Sequence, residues 1–282
     1  PTDARCNAGV GGGGAGGGGT GGGAADRYNR YTLDDKASDR YYLDLVVDKT
    51  KNRIGIAYIA GTGEITIIYL PGDAGIATDG GTTPTYDVRY VEWEDGVAKP
   101  PQVVDAVQRT VGMAIDFHPT TGEPAVAYLG GGSDMSLYWF NSDAEISFRT
   151  GGSTWTKNTA AQFSDQVLCG NPVSDIAGAA GGVVVGLWPA MKYDSTGAVW
   201  FCYRDVHTGQ YPQGDWAGSD VECLHGNAGS WTRECTKSGG NDKGAWGGRM
   251  RMVMVNDQPL ISYDQTLGGA DTSGSNVFYQ QR

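Results

Sequence analysis

The stretch of sequence that decides the fold is 192–204, KYDSTGAVWFCYR. An apolar run ends at Tyr193, a polar DSTG segment occupies 194–197, and a second apolar run at 199–203 ends in tyrosine. Because Asp, Ser and Gly form turns and aromatic and β-branched residues favour strands, the pattern predicts a strand, a tight turn and a second strand. The same pattern occurs at 43–58 (LDLVVDKTKNRIGIAY), 113–128 (MAIDFHPTTGEPAVAY) and 250–263 (MRMVMVNDQPLISY).

Each repeat continues beyond its closing tyrosine with further strand signals. The closing tyrosines are Tyr58, Tyr128, Tyr203 and Tyr263. Third strands are predicted at 65–70 with a continuation at 87–93, at 136–140, at 220–224 and at 276–280. In the first three repeats a tryptophan-bearing fourth strand is predicted, at Trp93, Trp155 and Trp231. Short antiparallel strands that recur in fours are typical of propeller blades, which bury their faces by stacking on one another.

This order of signals resembles the degenerate repeats of bacterial secreted β-propellers related to the sialidase superfamily. The resemblance covers about residues 41–282 and depends on the Asp-turn-Tyr pattern and on the later G-S-x-W strand, as at 152–155. Sialidases have one residue between the Asp and Gly of their Asp-box, whereas two residues separate Asp194 from Gly197. The resemblance is therefore one of architecture, and it implies an all-β, propeller-like array of about four four-stranded blades.

The fourth repeat shows no tryptophan-bearing strand after Tyr279. Three interpretations remain open. A segment such as 26–33 closes a four-bladed ring, another chain or a cleaved continuation adds the missing strands, or the repeats form an open array. We expect closure of some kind, because an open sheet edge promotes aggregation.

Composition supports an all-β extracellular protein. The 282 residues include 46 Gly, 15 Tyr and 8 Trp, and no amphipathic pattern at the helical period extends beyond about three turns. The formal net charge of -11 argues against nucleic acid or an anionic membrane surface as the partner, since both need a basic surface. No apolar run of about 18 residues is present, so no transmembrane segment is predicted.

The N-terminal region is compositionally distinct. Residues 9–23 are almost entirely glycine, which predicts a flexible tether because glycine buries no side chain and loses much entropy on ordering. The alternative is that this tract packs between neighbouring chains. We therefore divide the chain into a glycine-rich tether and lead-in at 1–40 and a propeller-like domain at 41–282.

The five cysteines predict disulfides and an oxidising compartment, since no C-x-x-C pair is present. Cys202 and Cys223 are expected on neighbouring antiparallel strands, which leaves Cys169 and Cys235 as the second pair. The alternatives are a Cys223–Cys235 bond or free thiols. Cys6 is left over, as a free thiol, an interchain bond or an anchor. The predicted location is extracellular or at the cell surface, with the periplasm as an alternative.

The long segment 206–219 is the predicted ligand-binding region. It contains Tyr211, Asp215 and Trp216 within YPQGDWAGSD, a segment too long and polar for a simple hairpin turn. Together with Arg204 and Asp205, these residues offer the flat apolar faces and polar groups that sugar binding needs.

Catalytic and metal sites are not predicted. A sialidase-like hydrolase remains the enzymatic alternative, and its candidate residues are Arg204, Arg249, Arg251, Tyr203, Tyr263, Asp205 and Glu222. The three histidines lack ligand spacing. Structural Ca²⁺ is an alternative at turn aspartates, namely Asp134, Asp143, Asp215 and Asp220, although no EF-hand loop is present.

We predict a secreted or cell-surface, non-enzymatic binding or assembly module whose ligand is a glycan or a protein surface. The alternatives are a sialidase-like glycoside hydrolase and a structural subunit of an extracellular assembly. In the last case another chain completes the final blade.

Overall fold

The repeated strand–turn–strand pattern folds as its sequence predicts. The computed structural model describes residues 33–34, 42–66, 82–107, 110–130, 141–162, 183–205, 220–237, 244–267 and 275–281. At the turn of the third repeat, Asp194 Oδ1 accepts hydrogen bonds from Thr196 N at 2.9 Å and Ala198 N at 3.0 Å. Gly197 has a φ of +88°, which favours glycine. The aspartate and the glycine of the pattern therefore fix the turn.

The described residues form sixteen strands and no helix. Repeat 1 contains β1 (Leu43–Asp48), β2 (Arg53–Thr66), β3 (Thr82–Glu94), β4 (Val97–Ala98) and β5 (Gln102–Val107). Repeat 2 contains β6 (Met113–Phe117), β7 (Pro124–Gly130), β8 (Asn141–Gly151) and β9 (Thr154–Ala161). Repeat 3 contains β10 (Val183–Tyr193), β11 (Val199–Asp205), β12 (Asp220–Asn227) and β13 (Ser230–Lys237). Repeat 4 contains β14 (Gly244–Val255), β15 (Gln258–Leu267) and β16 (Ser275–Gln281).

Each repeat is an antiparallel meander in which strands pair in chain order. In repeat 1 both β4 and β5 pair with β3. A short parallel pairing of β10 with β8 joins repeats 2 and 3. The all-β prediction is confirmed.

Two strand predictions in repeat 1 are wrong in detail. Residues 65–66 end β2 instead of starting a third strand, because a register shift between Gly61 and Gly63 lets β2 continue. The third strand is β3, the predicted continuation. Trp93 therefore lies on the third strand and not on the fourth, which is β5 after the interruption at Pro100 and Pro101.

The other third strands can be compared directly. In repeat 2 the third strand is β8, whereas the predicted 136–140 lies outside the described residues. In repeats 3 and 4, β12 and β16 confirm the predicted 220–224 and 276–280.

The two ends of the sheets differ in their connections. One end, here called the turn end, carries short turns between first and second strands at 49–52, 118–123, 194–198 and 256–257. The opposite end, here called the loop end, carries the longest connections, at 67–81, 131–140, 162–182, 206–219 and 268–274. The shorter connections 108–112 and 238–243 are also at this end.

Neighbouring turns contact each other along the chain. Arg53 donates to Gly122 O at 2.7 Å, which joins the first turn to the second. The His118 ring lies 5.1 Å from the Tyr193 ring, and Ser195 N donates to Asp257 Oδ1 at 3.0 Å. The four turn ends therefore lie on the same side of the described structure.

Successive repeats pack through buried side chains and recurrent hydrogen bonds. β1 contacts β6, β6 contacts β10, and β10 contacts β14. The indole of Trp155 donates to Gln102 Oε1 at 3.0 Å, and that of Trp231 donates to Asn158 Oδ1 at 2.8 Å. In both cases a fourth-strand tryptophan binds the side-chain amide of the preceding repeat's last strand.

The predicted Cys202–Cys223 disulfide is confirmed, and the two residues face each other in the pairing of β11 with β12. Cys235 also forms a disulfide, whereas Cys169 and Cys6 lie outside the described residues.

We expect the double substitution Cys202→Ala/Cys223→Ala to lower the free energy of unfolding by about 3 kcal/mol, because the bond closes a loop across 21 residues of sequence. Urea unfolding of both proteins under non-reducing conditions measures the difference. A loss under about 1 kcal/mol would contradict this assignment of the bond's role.

Candidate functional site at the loop end

Charged residues replace apolar ones at one register position near the loop end. The residue after each closing tyrosine is Ile59, Leu129, Arg204 or Asp264. Ile59 and Leu129 are buried, and Arg204 is equally buried at 6% exposure. Burying a charge costs several kcal/mol unless partners compensate for it. Repeats 3 and 4 therefore depart from the repeat pattern by placing charged groups where repeats 1 and 2 have apolar ones, which marks this position as a candidate site.

Repeat 3 also gathers carboxylates at this end. Asp205 on β11 lies directly opposite Asp220 on β12 in the strand register, and both are fully buried. Glu222 lies opposite Tyr203, whose hydroxyl donates to Glu222 Oε2 at 2.8 Å, and Arg233 donates to the same oxygen at 3.2 Å. Burial raises the pKa of the Glu222 carboxyl, and the charge of Asp205 raises it further.

Arg204 and Asp205 do not share one pocket. Successive strand residues point to opposite faces of a sheet. Asp205 is on the face of Tyr203 and Glu222, whereas Arg204 lies on the other face, near Asp264 of repeat 4. Burial lowers the pKa of Arg204 to about 10, and the Asp264 charge opposes this shift. Of the other predicted ligand residues, Tyr211, Asp215 and Trp216 lie outside the described residues.

Asp264 is accommodated by a glycine on the adjacent strand. Gly248 pairs with Asp264, and a Cβ at this glycine would lie 2.0 Å from Asp264 Oδ1. The carboxylate therefore needs a residue without a side chain at position 248.

An acid recurs at one register position of the third strands, a pattern that the sequence interpretation missed. Asp87, Asp143 and Asp220 lie opposite the residue two places after the closing tyrosine, and Asn276 has this place in repeat 4. The available signal was a repeated triplet: DVR at 87–89, DAE at 143–145 and DVE at 220–222. A polar residue therefore has this register position in every repeat.

The Tyr203–Glu222–Arg233 group has counterparts in other repeats, which identifies it as a packing device. Tyr58 donates to Asp34 Oδ2 at 2.5 Å, and Arg89 pairs with the same carboxylate at 3.0 Å. In repeat 2, Tyr128 donates to Asp105 Oδ2 at 2.8 Å, and Lys157 lies 3.3 Å from that oxygen. A tyrosine, a carboxylate and a cation therefore recur together, and in repeats 1 and 2 the carboxylate comes from an earlier part of the chain.

Glu145 is a buried carboxyl whose pKa is raised by its surroundings. It is 3% exposed, and the hydroxyl of Thr159 donates to its two oxygens at 3.0 and 3.1 Å. Burial raises the pKa of Glu145 to about 7, and the nearby Asp143 and Asp105 charges add to this effect. Gly130 makes room for it, because a Cβ there would lie 2.3 Å from Glu145 Cγ.

The arginines of the hydrolase alternative have unlike environments. Arg204 is buried, whereas Arg249 and Arg251 are exposed on β14. Arg251 donates to the carbonyl oxygen of Met250 at 2.9 Å. A substrate carboxylate needs all three guanidinium groups facing one accessible pocket, and Arg204 is not accessible in this way.

The calcium alternative receives no support within the described ranges. Those ranges contain no group of three or more His, Cys, Asp or Glu side chains arranged to hold a metal ion. Of the four aspartates considered for Ca²⁺, Asp134 and Asp215 lie outside them. His225 stacks on Trp200 and pairs with Asp194 at 2.9 Å, a turn-end role. No helix in the described part is long and apolar enough to cross a membrane.

Comparisons with known proteins add a distant likeness. No protein-family model matches the sequence, and no curated protein matches it. The chain is similar to the crystal structure of a protein of unknown function from Dyadobacter fermentans, at 11% identity and a TM-score of 0.43. The match covers 84% of this chain, which spans 63% of the length of that protein. The function of the chain therefore has to be inferred from its own residues.

Glu145→Gln should change the pH dependence of stability. Because the pKa of Glu145 is about 7 in the fold and 4.5 as its ordinary value, the stability from its protonated form is complete below pH 4.5 and is lost as pH rises through 7. We expect the variant to be more stable than the wild type by about 3 kcal/mol at pH 8 and nearly equal at pH 4. Urea unfolding at both pH values measures this.

The matched control is Glu94→Gln, on a glutamate with a 33% exposed side chain near the turn end. A gain at pH 8 that is equal in both variants would contradict the role given to Glu145.

Arg204→Leu tests whether the buried guanidinium serves stability. It is combined with Asp264→Ile, so that the acid near Arg204 is not left without the opposite charge. The pair of changes restores the apolar character of the equivalent Ile59 and Leu129, so we expect the free energy of unfolding to change by less than about 1 kcal/mol. Leu129→Arg places a charge at the same register position of repeat 2 and should cost about 3 kcal/mol or more. If the double variant were as damaging as Leu129→Arg in urea unfolding, the two charged groups would have a structural role.

Proposed function

We propose that the chain is a propeller-like, non-enzymatic binding module of an extracellular or cell-surface protein, and that its ligand binds at the loop end. The observation that carries the proposal is the segregation of connections. Short turns lie at one end of every sheet, and the long connections leave from the other. Binding residues are commonly placed on loops that a rigid scaffold positions.

A blade-like arrangement is supported by the order of the repeats. Four antiparallel meanders follow one another, and their first strands are neighbours. Burial raises the pKa of Asp44 on β1, and the charges of Lys192 on β10 and Arg251 on β14 lower it. The first strands of repeats 1, 3 and 4 thus place charges near one carboxyl group. This is compatible with first strands arranged around a common axis, as in propellers related in architecture to sialidases.

Repeat 3 is the favoured ligand-binding repeat. Its long connection carries Tyr211, Asp215 and Trp216, and it joins the strand ends at Asp205 and Asp220. Aromatic faces beside acidic groups suit the apolar faces and hydroxyl groups of sugars. We therefore place a glycan first as the ligand, with a protein surface as the second possibility.

The disulfide-bonded cysteines agree with the proposed extracellular or cell-surface location, which is oxidising. Cys202–Cys223 is a cross-strand disulfide, and Cys235 is also disulfide-bonded. Disulfides of this kind persist in secreted proteins and at cell surfaces.

Trp216→Ala and Tyr211→Ala should each weaken glycan binding about tenfold or more, because buried aromatic anchors commonly contribute over 1.4 kcal/mol to binding. The measurement is binding of the purified chain to an immobilised glycan array, followed by titration of the best glycan. The matched control is Trp93→Ala, a tryptophan on β3 close to the turn end.

Equal losses in Trp93→Ala and Trp216→Ala would contradict loop-end binding. Binding of the chain to immobilised proteins but to no glycan would select the protein ligand.

The proposal that the chain is not an enzyme is tested separately, by incubating it with fluorogenic glycosides. Release above background that Tyr203→Phe abolishes would select the hydrolase alternative.

A further inference from the structure

The first strand of repeat 1 exposes side chains that its sister repeats bury. Leu43, Leu45 and Val47 are 60%, 52% and 51% exposed. Leu45 pairs with the residue two places before the closing tyrosine of its repeat. The residues with the same pairing in the other repeats are Ile115, Met191 and Met252. Those three residues are 1%, 2% and 6% exposed. The repeat pattern therefore supplies an apolar face at β1 that packing leaves uncovered.

The first strand of repeat 4 also exposes apolar side chains, but on its other face. Val253 and Val255 on β14 are 54% and 38% exposed, and they share a face with Arg251. The other face of β14 is covered, since Met250 and Met252 are buried against repeat 3. In earlier repeats the face toward the next repeat is buried, as at Val46, Ala114 and Ala190.

The interfaces inside the chain show how these faces meet. Asp44 on β1 accepts a hydrogen bond from Ile115 N on β6 at 3.1 Å. Asp116 on β6 accepts one from Tyr193 N on β10 at 3.0 Å. Each first strand uses one face for the preceding repeat and the other for the next. The uncovered faces of β1 and β14 are thus the two halves of one further interface of the same kind.

A short N-terminal segment already fills the outer part of this interface. Leu33 packs against a cluster of Tyr58, Ala60 and Val91. Asp34 accepts the hydroxyl of Tyr58 as Asp105 on β5 accepts that of Tyr128. The pair 33–34 therefore has the place that the last strand of a preceding repeat has elsewhere, and the inner part beside β1 is open.

We propose that the exposed face of β1 in one copy of the chain packs against the exposed face of β14 in a second copy. The charge of Arg251 on β14 reaches Asp44 on β1, but the apolar side chains of both faces stay exposed, so the two halves do not cover each other within one molecule. A second copy is therefore favoured as the partner. Their apolar stripes continue the interfaces between repeats. The contact joins different surfaces, so copies add head to tail until a ring closes. It does not depend on the loop-end ligand.

The test is the mass in solution, by sedimentation equilibrium or light scattering, of the chain carrying Cys6→Ser to remove interchain disulfides at that position. We expect a mass of at least two chains, each of 29.7 kDa. Leu45→Lys and Val253→Lys should each give monomers, because a lysine at a buried apolar contact opposes association. Val97→Lys and Val103→Lys are matched controls on exposed valines of β4 and β5, and they should leave the mass unchanged.

Mixing the two monomeric variants provides a sharper readout. Each retains the face that the other lacks, so an equimolar mixture should form a heterodimer and nothing larger. Circular dichroism of each variant checks that it is folded. A monomeric parent protein, or a mixture of folded variants that stays monomeric, would overturn the proposal. So would an intramolecular disulfide in Leu45→Cys/Val253→Cys, which would place the two faces together within one chain.

Discussion

A buried tyrosine hydroxyl that donates to a carboxylate is the constraint that recurs through the first three repeats. It appears as Tyr58 with Asp34, Tyr128 with Asp105 and Tyr203 with Glu222. A buried hydroxyl without a partner costs free energy, so each tyrosine needs an acceptor at its position. In two of the three cases that acceptor lies on an earlier segment of the chain. Satisfying the hydroxyl thus fixes where the earlier segment must lie.

Because the molecule contains four repeats, each residue can be compared with the residues at the same position of the other repeats. Because Tyr203 and Glu222 have counterparts in repeats 1 and 2, packing alone accounts for their contact. Arg204 and Asp264 lack such equivalents, since Ile59 and Leu129 hold their places. A single repeat viewed alone would have made all four residues look equally functional. The comparison between repeats separates what the fold requires from what one repeat has acquired.

The fold was largely predictable from sequence, because turns and strand endings are local. The Asp194 turn, the four closing tyrosines and the Cys202–Cys223 pairing all follow from residue types over short distances. The errors arose where spacing alone gave no guide. The register shift at Gly61 and Gly63 lengthened β2, and Pro100 and Pro101 moved the fourth strand away from Trp93.

The site was less predictable. That Arg204 and Asp205 face opposite ways follows from strand alternation, but the burial of both depends on which repeats lie on either side. The pKa of Glu145 depends on desolvation by neighbours that are distant in sequence, together with the space beside Gly130. The repeated acid at the third strands was readable in principle as the triplets at 87–89, 143–145 and 220–222.

The mutual contacts of the turns have a consequence for change over evolution. Arg53 reaches Gly122, His118 meets Tyr193, and Ser195 binds Asp257, so each turn constrains the length of the next. An insertion in one of these turns would disturb two repeats at once. The turn end is therefore the part of this fold in which a change of length is tolerated least.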